Sequence, residues 1–358
     1  MGARIAIAGA GIGGLATAAL AHDAGHQVTL FERFDTPRPL GSGLVIQPVG
    51  LAVLDRIGAG AEARALGQPI ARMLGHEAAT GRAVLDVAYR AGDPGLAIHR
   101  ASLFHALWGA VQTRGLPVIT SAEVAAAPLD GPGRRLVLAD GRDFGPFDLV
   151  VDASGAGSAL SPLRARALSY GAVWGTVPWP DGATLPTNEL RQRYRRADRM
   201  VGVLPIGRMP GQTRPLAAIF WSLPAARIGD WQTTATGAWK AEATALWPDM
   251  APFLDAITGA ADMIPARYSH GTLSRPHGRA IAYIGDAAHR ASPQLGRART
   301  WRFWMRWRWR PRSPGRSTRR CRITRRCGAG MCDFIRRQAR CSRRCISPKA
   351  AFCRFCAT

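Results

Sequence analysis

Short apolar runs punctuated by glycine and proline, rather than long amphipathic periods, organise most of this chain. The first run, Ile5 to Ala8, enters the glycine-rich stretch Gly9 to Gly14 and then an alanine-rich segment, which predicts strand, tight turn and helix. Gln27 to Phe31 predicts a second strand, ending at Glu32. Far downstream, Ala280 to Ile284 predicts another strand, running into Gly285-Asp286 and the small residues of a helix start. Between about Leu168 and Ala266 the texture changes. The segments "AVWGTVP", "RMVGVLPIG" and "PLAAIFWSLP" read as separate strands with Gly or Pro at their ends, and "GAWKAEATALWPDMAPFLDAI" as amphipathic helix interrupted at Pro248 and Pro252. No apolar run reaches the roughly twenty residues of a membrane span.

The chain has 358 residues, enough for two packed domains or one large domain with a tail, and a formal net charge of +24. Such a charge suggests a nucleic-acid binder until its distribution is considered. From Arg297 onward there are 20 Lys+Arg against one acid, Asp333, so the preceding residues carry only about +5. All seven cysteines lie in the same tail, from Cys321 to Cys356, without metal-site spacing. A cysteine-free body fits a reducing, cytoplasmic setting. The apolar N-terminus could serve as a secretory signal, but its glycine spacing favours a nucleotide turn.

That spacing, Gly9-x-Gly11-x-x-Gly14, includes Ile12 and Gly13 at the predicted helix start. The first glycine permits the turn, the second lets a pyrophosphate approach the backbone, and the third lets helix and strand pack closely. The free N–H groups of the new helix then face the phosphates. Glu32, at the end of the second strand, has the position from which a carboxylate takes ribose hydroxyls. NAD and FAD share this fingerprint, so the choice depends on the distant Gly285-Asp286. There Asp286 is either an acceptor for sugar-alcohol hydroxyls or a helix N-cap.

With these motifs on hand, the chain resembles the FAD-dependent aromatic hydroxylases related to para-hydroxybenzoate hydroxylase, over separated motifs from Arg4 to Gly296. The resemblance implies an α/β architecture: a Rossmann-type FAD-binding domain with an inserted antiparallel-sheet substrate domain. FAD-binding segments are expected at 1–72, 96–165 and 268–296, substrate-domain segments at 73–95 and 166–267, and an aberrant, disordered tail at 297–358. The GxGxxG turn with Glu32 and Arg33 matches the ADP end. The segment "GSGLVIQPVGLAVLDRIG" resembles the one passing under the flavin, which implies that Gly43 and Gln47 lie near the ring. The helix "HRASLFHAL" implies that Arg100 reaches the ribityl and phosphate region, against a plain solvated helix position. "SAEV" implies that Val124 lies against adenine, and Gly285, Asp286 and Pro293 match the ribityl motif. Trp174, Met200, Phe220, Trp221 and Tyr268 either line a substrate chamber or are ordinary core. "RQRYRRADR", Arg191 to Arg199, is either an anion-attracting cluster or a solvated helix face, and His289 is either an acid–base group or a helix-surface residue. The implied chemistry is NAD(P)H- and O2-dependent hydroxylation of an aromatic or other electron-rich small molecule.

Two departures qualify the match. The family's Asp-Gly pair after the middle strand reads Ser154-Gly155 in "DLVVDASGAGSAL", which leaves the pyridine-nucleotide contact without its usual carboxylate. After Gly296 the expected G-x-G-x-N turn is missing. Reading the third base of each codon with the first two of the next forces Leu at Phe303-Trp304 and Asp at Trp304-Met305, and permits G-x-G-x-N followed by a helix-forming run. A frameshift near Gly296, with loss of activity, is therefore expected. The competing classes are an FAD-dependent reductase or halogenase, although no W-x-W-x-I-P segment is present, and nucleic-acid or membrane binding through the basic tail.

Overall fold

The computed structural model describes residues 2–37, 41–196 and 198–291. Its first layer is a six-stranded sheet. The strands Val118–Ile119, Gln27–Phe31, Arg4–Ala8, Leu149–Asp152 and Ile281–Tyr283 run parallel in that order, with His277–Gly278 antiparallel at the far edge. Ile7 and Leu30 are fully buried, as expected for central parallel strands covered on both faces. The helix Ile12–Asp23 lies close to this sheet because it turns small residues inward: Gly14, Ala16, Ala18 and Ala19 are buried beside Leu15. A second helix, Arg100–Thr113, packs against it.

The second layer is an eight-stranded sheet in the order His289–Arg290, Met263–Thr272, Arg166–Pro178, Leu216–Pro224, Arg199–Pro205, Glu189–Arg195, Arg72–Glu77 and Ala83–Ala88. It is antiparallel except where Glu189–Arg195 runs parallel to Arg72–Glu77, so the expected antiparallel sheet is in fact mixed. One face carries Val173, Val201 and Trp221 under a cap formed by Trp231, Trp239, Trp247 and Phe253. The opposite face carries Met73, Leu190, Met200, Phe220 and Trp174, packed with Val45 and Ala97 of the small sheet that joins the layers. Alternation along a strand therefore separates two residues expected together: Phe220 faces the first layer and Trp221 faces away. Gly202 lies opposite Phe220, and a Cβ there would stand 2.0 Å from Phe220 Cζ, so the glycine lets the ring lie flat on the sheet.

Two local expectations need correction. Arg191 to Arg199 forms no helix: it spans the end of strand Glu189–Arg195 and the turn into Arg199–Pro205. Arg191, Arg195 and Arg199 pair there with Glu189, Asp198 and Glu242, so these three arginines are committed to carboxylates of the same sheet and cap. Gly285-Asp286 opens a 3-10 turn, Gly285–Ala287, followed by the short strand His289–Arg290. His289 is thus a strand residue, with its Nδ1 2.6 Å from Thr272 Oγ1. The change of direction lets Thr272 and Gly271 pair with this segment, which joins the two layers.

Candidate functional site

All the parallel strands of the first layer end at one edge, and a cavity of about 340 Å³ opens there. A crevice at the carboxyl ends of such strands is where open α/β sheets bind ligands. Gly9, Gly11, Ile12 and Gly13 form its floor, Glu32 and Arg33 one end, Val124 a side, and Arg100, Gly285 and Asp286 the other end. Residues separated by more than 250 positions thus meet in one cleft.

The three fingerprint glycines have different physical reasons. Gly9 has φ +99°, and a Cβ would stand 2.7 Å from the Ala153 carbonyl oxygen. Gly14 lies beneath the cleft, where a Cβ would be 1.8 Å from the Gly9 carbonyl oxygen. Gly11 differs from both. Its φ is −70°, open to any residue, and a Cβ would find nothing of the protein within 4 Å. Neither backbone nor packing requires glycine there, and its missing side chain leaves the backbone open to the cleft. That open cradle, at the N-terminus of helix Ile12–Asp23, fits a pyrophosphate approaching the backbone.

Glu32 is buried, and its carboxylate is held in place by backbone donors: Ala10 N–H to Oε2 at 2.8 Å and Phe34 N–H to Oε1 at 3.1 Å. Arg33 turns its guanidinium over the Phe34 ring, 4.6 Å from the centroid. At the opposite end, Arg100 is the first residue of its helix, and His99 caps that helix by accepting the Ala101 N–H at 3.1 Å. The Arg100 backbone N–H donates to Ser42 O at 3.0 Å. Arg100 and Asp286 each keep surface open to the cleft while protein surrounds the rest. Burial accordingly pushes the Asp286 carboxyl above the ordinary carboxylate range, against the pull of Arg100, Arg290 and His289. It also lowers the pKa of Arg100, against the pull of Asp286 and Tyr268. A carboxylate and a guanidinium that face one cleft suit a ligand that supplies hydroxyls to one and oxygens to the other.

Three sequence-expected site residues do not line this cleft. Gly14 packs below it, as already described. Gly43 lies in strand Gly43–Ile46, where a Cβ would be 2.3 Å from Ile206 Cγ2, so its missing side chain serves packing against the large sheet. Gln47 precedes helix Pro48–Arg56 and lies beside Tyr89. Pro293 lies outside the described residues, as do the expected turn and tail beyond it. The cleft also contains residues absent from the expected set: Phe104, Glu123 and the turn Ala153, Ser154, Gly155 and Gly157. Gly157, like Gly11, has open space where a Cβ would be. The displaced carboxylate of that turn is found two residues earlier. Asp152 is fully buried and accepts the Ser154 N–H at 3.1 Å and the Ser154 and Ser158 hydroxyls at 2.5 Å each. Its lone pairs serve the turn, and Ser154 is what the turn presents to the cleft.

Comparison with known proteins agrees with this geometry. An FAD binding domain family model matches residues 3–159. The 2-heptyl-3-hydroxy-4(1H)-quinolone synthase of Mycobacteroides abscessus is 30% identical over 311 residues, covering 81% of this chain and 76% of that protein. Among solved structures, Pseudomonas aeruginosa PqsL in complex with 2-aminobenzoylacetate superposes with a TM-score of 0.71 at 20% identity, over 83% of this chain and 82% of that one. Klebsiella pneumoniae HpxO, complexed with FAD and uric acid, superposes with a TM-score of 0.70 at 19% identity, over 95% and 87%. The chain belongs to the FAD-dependent aromatic hydroxylase and monooxygenase family, and is by that membership an oxidoreductase using FAD. Among the described residues, no helix is long and apolar enough to cross a membrane.

Proposed function

We propose that the cleft holds FAD, and that the chain's lineage hydroxylates a planar aromatic or heteroaromatic small molecule with O2 and NAD(P)H as co-substrates. The observation that carries the cofactor assignment is the meeting of Gly285-Asp286 with the open Gly11 cradle and Glu32 in one cleft. In this reading the Gly9 to Gly14 turn would receive the pyrophosphate, Glu32 the ribose, and Val124 with Arg33 the adenine side. Arg100, Gly285 and Asp286 would hold the ribityl end. Gly43 and Gln47 act one layer away, fixing the strand and helix between the cleft and the large sheet. The bound flavin supplies the redox and oxygen-activating chemistry, and the protein supplies position, electrostatics and exclusion of water.

The division into a cofactor domain (1–72, 96–165, 268–296) and a substrate domain (73–95, 166–267) belongs to the same proposal. It is supported by the strands Arg72–Glu77 and Ala83–Ala88 joining the large sheet. On the sheet face toward the first layer, Trp174 and Phe220 form an aromatic wall with ring centroids 4.7 Å apart. Tyr268 Oη accepts the Trp174 indole N–H at 2.7 Å, and burial pushes its phenol up to about 12. The phenol is therefore protonated at neutral pH and retains its own O–H to donate. A ring bearing a carbonyl or ionised oxygen suits such a surface, and the quinolone in the name of the Mycobacteroides relative is a molecule of this kind. The chain as written is proposed to be nearly inactive, because Arg297 to Thr300 stands where the family's G-x-G-x-N turn belongs. The test is oxygen transfer: with labelled dioxygen, a frame-restored chain should place one labelled atom in an aromatic product during NAD(P)H oxidation. Turnover without label in any product, across an aromatic panel, would favour a reductase.

A further inference from the structure

Two turns of the cleft, Ser154 to Ser158 and Gly285 to Ala287, come from strands that are neighbours in the sheet, yet backbone pairing ends at the Ile284 N–H to Asp152 O bond. Beyond that point side chains tie the turns together. Arg290 donates its Nε–H to the Asp286 carbonyl at 3.2 Å and an Nη2–H to the Ala156 carbonyl, so one guanidinium spans both. The Ser161 hydroxyl donates to the Ala287 carbonyl. Ser161 is itself fixed by its N–H to Ser158 Oγ at 2.9 Å, and Ser158 by its hydroxyl to the buried Asp152. A continuous chain of hydrogen bonds thus runs from Asp152 through Ser158 and Ser161 to the residue after Asp286, with Arg290 as a second crossing.

We infer that Arg290 is a positioning residue for FAD: it clamps the Asp286 turn to the Ser154–Ser158 turn and sets the charge around the Asp286 carboxylate, with Ser161 as a neutral second clamp. The inference rests on the proposed FAD site. The groups facing Asp286 are Arg100 from its helix at the same end of the cleft, and His289 and Arg290 from its own segment. Burial makes ionising Asp286 harder, and these neighbours oppose that effect. Removing the Arg290 charge therefore moves the titration of Asp286 to higher pH. If the ionised carboxylate accepts ligand hydroxyls, FAD binding is then lost at a higher pH on acidification. A lysine keeps the charge but cannot reach two carbonyls with one planar fork.

The experiment is FAD titration of the full chain by fluorescence quenching, across acidic to neutral pH, for the parent and for Arg290→Ala, Arg290→Lys and Ser161→Ala. Arg290→Ala should weaken binding about tenfold at neutral pH, the scale of lost charge-assisted bonds, and move the acid limb upward. Arg290→Lys should return the acid limb to the parent position with affinity only partly restored. Ser161→Ala should weaken binding a few-fold without moving the acid limb. The inference is overturned if Arg290→Ala binds within about twofold of the parent with the same acid limb, or if the lysine variant behaves as the alanine one. Should Arg290→Ala not fold, the lysine and serine variants decide, since equal acid limbs with parental affinity in both overturn it. Failure of the parent itself to bind FAD would overturn the cofactor reading and this inference together.

Discussion

Gly11→Ala separates what the protein needs from what its ligand needs. The substitution adds one methyl at φ −70°, with no protein atom within 4 Å, so neither strain nor collision is introduced in the free protein. Gly11 is the N-cap of helix Ile12–Asp23, where alanine is poorer than glycine, while losing a glycine stiffens the unfolded chain. These effects oppose each other, and net stability should change by less than about 1 kcal/mol. In the complex the same methyl meets the pyrophosphate. Overpacking of a close contact costs about 1–3 kcal/mol, which corresponds to roughly 5- to 150-fold in affinity. Gly14→Ala is the contrasting control. Its Cβ would stand 1.8 Å from the Gly9 carbonyl oxygen, so helix and strand must separate and the fold itself should lose at least about 1–3 kcal/mol. Urea unfolding without ligand and FAD titration, run on both variants, read the two quantities separately. Gly11→Ala with parental FAD affinity, or with a stability loss equal to that of Gly14→Ala, would show that no pyrophosphate lies against Gly11.

Glu32→Ala should weaken FAD binding by about 1–3 kcal/mol. It should also loosen the Ala10 and Phe34 backbone donors, read as faster amide exchange at those two positions. Asp286→Asn should stabilise the ligand-free fold at neutral pH. The native state raises the pKa of this carboxyl, so its contribution to stability is fully present below the unfolded pKa and is lost as pH rises through the folded value. The parent's unfolding free energy should therefore decline over that window and the variant's should not; parallel pH profiles would contradict the burial argument. For the tail, gene sequencing should reveal a missing base between the codons of Leu295 and Arg299, and the restored chain should turn over an aromatic panel far faster than the chain as written. Equal turnover by the two would show that replacing the G-x-G-x-N turn does no harm, against the loss of about 10²–10³ in rate typical of removing a preorganised donor.

Much of the first layer is legible in the sequence because local chemistry and burial agree there. Gln27–Phe31 is a strand from end to end as its apolar pattern requires, and Gly9 to Gly14 can form only a tight turn into a helix. The gathering of Gly9, Gly11, Glu32, Arg100 and Asp286 in one cleft follows from parallel strands ending at a common edge. What escapes the sequence is decided by pairing across long separations. Arg191, Arg193 and Arg195 alternate with Leu190, Gln192 and Tyr194 at the period of a strand, but the density of arginines hides it; Arg72–Glu77 and Arg199–Pro205 flank Glu189–Arg195 and carboxylates absorb its charges. The helix expected after Asp286 gives way to a strand because the edge of Met263–Thr272 offers its hydrogen bonds. The neighbour that demands the missing side chain of Gly43 is Ile206, more than 160 residues away, which no local pattern shows. The stitching by Arg290 and Ser161 joins side chains to carbonyl groups, which no residue pattern advertises.

If the cleft at the carboxyl edge of the six-stranded sheet is an FAD site, ligand titration of the purified chain will show it. FAD should bind one-to-one, quench its own fluorescence and turn the protein yellow, with NAD at equal concentration failing to displace it. A chain that is colourless once excess FAD is removed, or one that binds NAD as tightly as FAD, would show that the cleft is not an FAD site.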